Sequence, residues 1–253
     1  MKNIYLRIKN RARQVVLSFP AQRFYENHEN EHTLSRRIFE TDPVINRLHE
    51  FVSENMGDNV GHGMNHVTKV TLDAGSLMYI EGESLNYPKN YIDSRVRLAQ
   101  CSGLLHDIKR GQKNHAVKGA EFAKDILKDY REVSPEDITD IYNAIYNHEA
   151  FKTNLKTGTP EGDLVSDCLY DADKFRWGPD NFSHMVWDML ECSRTPLSRF
   201  IHLYPEGIKA LKKIKTSFRT PTGKKYGPSF IDTVLAIGDR LYDIIKTEFA
   251  EYL

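Results

Sequence analysis

One apolar run ends in adjacent histidine and aspartate, with two cations close behind: Cys101-Ser102-Gly103-Leu104-Leu105-His106-Asp107-Ile108-Lys109-Arg110. An imidazole and a carboxylate converging on one point suit a divalent or ferrous ion, one donor being neutral and the other anionic. Helical neighbours lie about 100° apart, so His106 and Asp107 do not share a helical face. They reach one point only where the helix end abuts a cavity, and a useful site needs donors from other elements. His66 and His115 each open an apolar helix, beside Val67 and Val70 and beside Ala116 and Ala120. His148 continues the face of Ile141 and Ile145, and Asp173 lies in the helix of Leu169 and Ala172. Each alone has a plain structural reading, as a polar helix start, a hydrogen-bonded core histidine or a solvated acid. The helical wheel places Asp171 nearer the centre of the apolar face than Asp173, so periodicity does not choose between them.

The elements that must position these residues read as helices. Asp42 caps a helix with Pro43 at its first position, and Val44, Leu48, Phe51 and Val52 recur at helical spacing. After the loop 57–63, a second helix buries Val67, Val70, Ala74, Leu77 and Met78, and a third begins near Asp93 and runs into the opening motif. Further helices follow from His115, from Ser134-Pro135 and from Leu164 to Phe175, with later ones over 182–192, 196–216 and Ser229 to Tyr252. Residues 21–40 are polar and read as a loop or mobile arm. Thr220-Pro221-Thr222-Gly223-Lys224-Lys225-Tyr226-Gly227-Pro228 reads as a basic surface loop, with a lid over the cleft as the sharper alternative. No strand alternation or repeat interrupts the pattern, which predicts an all-α chain folded as a single domain over residues 1–253.

Composition narrows the function. The 253 residues are 40% hydrophobic and 28% charged, a globular balance with enough chain for a large core. Thirty-five basic and 35 acidic residues cancel, and no aromatic–basic stripe is present, which argues against a nucleic-acid partner. The three cysteines, Cys101, Cys168 and Cys192, are scattered and form no CxxC pair, which argues against a disulfide framework or a thiolate zinc site and fits a reducing cytoplasm. No apolar run approaches a membrane span. The basic N-terminus lacks the apolar core of a secretory signal and is expected to form a short amphipathic helix packed on the domain.

Taken in order, His66-Val67-Thr68-Lys69-Val70, Leu104-Leu105-His106-Asp107-Ile108 and Ala172-Asp173-Lys174 match the H…HD…D signature. Over about residues 43–180 the chain thus resembles the HD-domain metal-dependent phosphohydrolases. Asn114-His115-Ala116-Val117-Lys118-Gly119-Ala120 and Ala144-Ile145-Tyr146-Asn147-His148 resemble the extra histidine motifs of the two-metal subfamilies. Leu169-Tyr170-Asp171-Ala172-Asp173-Lys174 is similar to the LY-x-ADK segment of bacterial HD hydrolases that split dinucleoside polyphosphates, which selects Asp173 over Asp171. The resemblance implies an HD helical bundle with added helices at both termini, its core over about 43–180 and a C-terminal extension over 181–253.

It also implies His66, His106, Asp107 and Asp173 as ligands, with His106 and Asp107 catalytic, and His115 and His148 holding a second ion that Asp107 bridges. One or two divalent ions are expected, with Fe, Mn, Co, Ni, Zn and Mg not distinguished. Arg110, Lys118, Lys174 and His62 are the candidate substrate contacts. The family's usual glycine after HD-Ile is replaced by Lys109, which puts the local turn in question. His62 and His66 form an HxxxH pair, but Gly63 stands next to His62 where zinc proteases carry glutamate. The expected activity is metal-dependent hydrolysis of a nucleotide or other small phosphorylated metabolite. The alternatives are an HD-type di-iron oxygenase of a small polyol or phosphonate, and a non-catalytic ligand-sensing HD module.

Overall fold

The computed structural model describes residues 2–56, 63–156 and 158–253, and they form helices with no strand among them. The helices are α1 (Lys2–Leu17), α2 (Arg23–Asn27), α3 (Glu29–Thr41), α4 (Pro43–Asn55), α5 (Met64–Ser84) and α6 (Lys89–Leu105). Then come α7 (His115–Leu127), α8 (Pro135–Tyr146), α9 (Pro160–Phe175), a π-helical turn (Asn181–Met185), α10 (Val186–Cys192), α11 (Leu197–Ile214) and α12 (Pro221–Glu248). No helix of the described residues is long and apolar enough to cross a membrane.

One device starts four of these helices. Asp42-Pro43, Ser134-Pro135, Thr159-Pro160 and Thr220-Pro221 each pair a side-chain cap with proline at the first helical position. The cap oxygen accepts an otherwise unpaired amide, and proline there loses no hydrogen bond. Asp42 accepts from the amides of Val44 at 2.9 Å and Ile45 at 3.3 Å and also pairs with Arg97 at 2.6 Å. Asp42→Ala is expected to lower stability by about 1–2 kcal/mol, measured as a shift of the urea midpoint at constant slope.

α5 is the centre of the bundle and packs against α3, α6 and α9. It is buried on nearly every side, so its polar residues find internal partners. Thr71 donates to the Val67 carbonyl and Ser76 to the Leu72 carbonyl, while Asp73 pairs with Arg176. α6 approaches closely because residue 103 is glycine: a Cβ there would stand 2.7 Å from the Thr71 Cα. A continuous core runs from Ile4 of α1 to Phe249 beyond α12. α1 buries Ile4, Tyr5, Ile8 and Val15, and its cations pair outward, Lys9 with Asp188 and Glu191 and Arg11 with Glu248.

Two expectations are corrected. Residues 21–40 are not a loop or arm but α2 and α3. Their apolar residues are few, but Phe24 is fully buried, 4.9 Å edge-on to Phe175, and Tyr25, Leu34, Ile38 and Phe39 pack against the core. The buried Ser35 hydroxyl donates to the Leu72 carbonyl at 2.8 Å, so a polar residue holds α3 on α5. Residues 220–228 are likewise neither loop nor lid but the first turns of α12. Asp171 accepts from the Arg219 amide at 2.9 Å and from the Thr220 amide and hydroxyl at 2.8 Å, and Glu81 accepts from the Thr222 amide at 2.8 Å. Two buried carboxylates thus meet the positive end of the helix. Burial pushes the Asp171 carboxyl up to about 6, against the opposing hydrogen bonds from Arg219 and Thr220. Gly223 permits the approach, because a Cβ there would stand 2.0 Å from Asp171 Oδ2.

Candidate metal centre

The ends of five helices meet beside α5 and α6. α6 stops at Leu105, and a turn carries His106 and Asp107, with the Ile108 amide bonded back to Leu105 and that of Arg110 to Asp107. His66 is in the first turn of α5, His115 begins α7, His148 follows α8 and Asp173 lies in the last turn of α9. Asn114 takes a left-handed conformation, φ 57°, to launch α7 toward the same point. Lys109 needs no such conformation, so the turn closes without the family's glycine, and its ammonium lies 3.6 Å from the centre of the Phe122 ring.

Six side chains form two groups that could each hold an ion: His66, His106 and Asp173, and Asp107, His115 and His148. In the first, His66 Nε2 is 3.3 Å from His106 Nε2 and 3.5 Å from Asp173 Oδ1. In the second, His115 Nε2 is 3.2 Å from His148 Nε2. Asp107 stands between them. Its Oδ2 is 3.5 Å from His106 and 3.7 Å from His66, while its Oδ1 is 3.4 Å from His115 and 3.6 Å from His148. Donors bound about 2.1 Å from an ion stand roughly 3.0–3.4 Å apart at adjacent octahedral or tetrahedral positions, so both groups are close to the spacing of a coordination shell.

The protonation pattern fits the same use. His106 Nδ1 donates to the Gly103 carbonyl at 2.8 Å and His148 Nδ1 to the Ile145 carbonyl at 2.6 Å, which leaves the Nε2 lone pairs facing inward. Burial holds the imidazoles of His106 and His115 below the usual range, His115 down to about 4 with the neighbouring His148 adding to the effect. Neutral imidazole is the ligating form. Burial would push Asp173 up, but the Lys174 ammonium, then His106 and His66, outweigh it and hold the carboxyl well below its usual range.

The cations separate clearly. Lys174 is buried, pairs with Asp173 and donates to the His148 carbonyl at 3.0 Å. Arg110 donates to His115 Nε2 at 3.0 Å and lies 3.6 Å from Asp107. Lys118 is not brought to the cluster; it is exposed and donates to Gln112. His62 lies outside the described residues. Asp171, the competing acid, faces the start of α12, and it is Asp173 that joins the histidines. Sequence reasoning missed Arg176, whose buried guanidinium pairs with Asp73 and Asp180 and lines the same cavity as Lys174. Its signal was a cation three residues after Asp173, one helical turn along.

That cavity has a volume of about 560 Å³ and opens from His66, His148 and Asp173 toward the π-helical turn, α10 and α11. Across residues 63–178 the sequence matches the HD domain family. Residues 63–178 are an HD domain. All six clustered side chains lie within it, on α5 to α9 and the turns between them, while the far wall of the cavity on α10 and α11 lies beyond it. A similar solved structure, described as a predicted HD superfamily hydrolase from an uncultured Thermotogales bacterium, is 19% identical with a TM-score of 0.50, over 81% of this chain and 95% of that one. At that identity the likeness concerns the fold. No curated protein matches the chain.

Proposed function

We propose that this chain is a metal-dependent phosphohydrolase acting on small phosphate esters. The observation that carries the reading is Asp107, which offers one carboxylate oxygen to each of two histidine groups beside a buried lysine. His66, His106 and Asp173 would hold one ion and His115 and His148 a second, with Asp107 shared. Bound there, divalent ions lower the pKa of water and polarise a phosphoryl oxygen. The chain's own groups supply the rest. The backbone carbonyls of Gly103 and Ile145 hold two imidazoles in the ligating tautomer. Lys174 spends two of its three N–H groups on Asp173 and His148 among the described residues, which leaves one for a phosphate oxygen. Arg110, half-exposed at the edge of the cluster, adds a second positive charge. In the reaction the water oxygen bonds to phosphorus, the ester P–O bond breaks and the alcohol leaves with a proton.

Support for hydrolysis also comes from the HD domain and from the similar Thermotogales protein, described as a predicted HD superfamily hydrolase. The test is phosphate release by the purified chain across a panel of metals and esters, with metal content measured by elemental analysis. About two ions per chain are expected. Lys174→Met should lower kcat/KM about 10²-fold, whereas Lys118→Met should stay within about twofold because an exposed surface cation contributes little. Equal effects of the two substitutions would refute the assignment of Lys174. Metal-independent turnover would refute the reading as a whole.

A further inference from the structure

Away from its cations, the cavity changes character. Phe182, Leu211 and Ile214 line its deep part and are almost fully buried. Nearer the surface, Phe151, Trp177, Met189 and Leu203 line it too, and these are among the large apolar side chains most exposed to solvent, from 37% for Trp177 to 65% for Phe151. Apolar side chains gathered at a cavity mouth mark a binding groove more often than apolar residues scattered singly. Met185 and Met189 stand one turn apart on the same wall, and flexible thioethers adapt to an irregular chain. On α11, Gly207 and Ala210 present small residues to the space, and a Cβ on Gly207 would meet nothing within 4 Å.

Polar groups able to read a nucleobase or a sugar are sparse along this wall. Tyr204 donates its hydroxyl to Asp239 at 3.2 Å, and of the remaining polar lining Arg110, Glu149 and Lys174 gather at the cluster end, with Arg176 just past the end of α9 and Asn181 at the start of the π-helical turn. The cavity therefore has one charged end and one apolar end. Its volume falls in the range that encloses most of a medium-sized ligand.

We infer that the substrate is an amphiphilic phosphate ester, its phosphate at the His–Asp cluster and an aliphatic chain lying under α11. This rests on the phosphohydrolase reading for the head group and on the cavity wall for the tail. Apart from Ala150, Phe151 and Trp177, the apolar wall lies outside the segment matched to the HD family, so the preference rests largely on this chain's own extension.

The test uses the full-length, metal-loaded chain with ethyl, butyl, octyl and dodecyl phosphate below their micellar concentrations, with adenosine monophosphate as comparator. kcat/KM should rise roughly two- to fourfold per added methylene until the cavity is filled, and octyl phosphate should exceed the nucleotide at least tenfold. Gly207→Trp and Leu203→Glu, both at exposed positions where folding is not at stake, should each lower the octyl-to-ethyl ratio about tenfold. Calorimetric binding of ethyl- and octylphosphonate gives a readout without turnover, and octylphosphonate should bind more tightly by a similar factor. Turnover that is flat with chain length, or better with the nucleotide, overturns the inference and leaves the hydrolase reading standing. Phosphonate affinity that rises with chain length while no ester is cleaved overturns the hydrolase reading and keeps the amphiphile site. Flat affinity without cleavage overturns both.

Discussion

Asp107→Ala is expected to reduce bound metal from about two ions per chain to one or fewer and to lower phosphate release about 10³-fold or more. Each oxygen of this carboxylate faces a different pair of imidazoles, at 3.5 and 3.7 Å on one side and 3.4 and 3.6 Å on the other. No other acid of the two groups is placed to serve both, since Asp173 belongs to the first alone. Loss of His115 is different: it leaves His66, His106, Asp107 and Asp173 intact, so His115→Ala should retain close to one ion. The metal-free Asp107→Ala protein should be at least as stable as the metal-free wild type, because a carboxylate almost wholly removed from water is no longer there to be desolvated. Elemental analysis beside urea unfolding of the chelated proteins separates these effects. An Asp107→Ala protein that keeps two ions would remove the shared-ligand geometry from consideration. One that loses metal only because it unfolds would show a lowered midpoint after chelation.

The legible parts of this site were those whose chemistry breaks a pattern. His106 and Asp107 stand out because an apolar run of small and aliphatic residues ends in them, and helix α6 does stop there. The acid on α9 shows the limit of periodicity. The wheel places Asp171 on the inward face, and Asp171 is indeed buried, but inward on α9 means facing the N-terminus of α12. Val165 and Ser166 and then Cys168 to Phe175 are all buried, so the helix has no single apolar face against which a ligand could be told apart. Only the motif resemblance chose Asp173, and its place beside His66 and His106 follows from how α5, α6 and α9 pack. Residues 21–40 and 220–228 were misread for the opposite reason. Ser35, Gly223 and Pro221 are loop-forming types on average, but here they satisfy a buried carbonyl, admit a carboxylate and start a helix. The cavity wall was not legible at all, since Phe182, Leu211 and Ile214 acquire meaning only when α11 folds back over the cluster.

Arg176→Met is expected to cost about 3–5 kcal/mol of stability near neutral pH, and the loss should shrink as the pH falls. Arg176 is buried just past the end of α9, where it pairs with Asp73 of α5 and at 2.8 Å with Asp180, and it donates to the Tyr25 hydroxyl. It therefore ties α9 to the central helix and to α2. Methionine fills much of the same volume, so the chief effect is a buried Asp73 left with no guanidinium. Burial already pushes the Asp73 carboxyl above its ordinary range, and without Arg176 it must move higher still. A carboxyl raised in the folded state holds its proton more tightly there than in the unfolded chain. Stability tied to that proton is complete below the unfolded pKa and is lost as pH rises through the folded one. The variant should consequently fall furthest behind the wild type at pH 8 and recover part of the deficit at pH 5. Urea unfolding of both proteins at the two pH values checks this, and a deficit that is constant or larger at pH 5 would contradict it. A double variant with Asp73→Asn should regain part of the loss at pH 8, because the charge that lacked a partner is then absent.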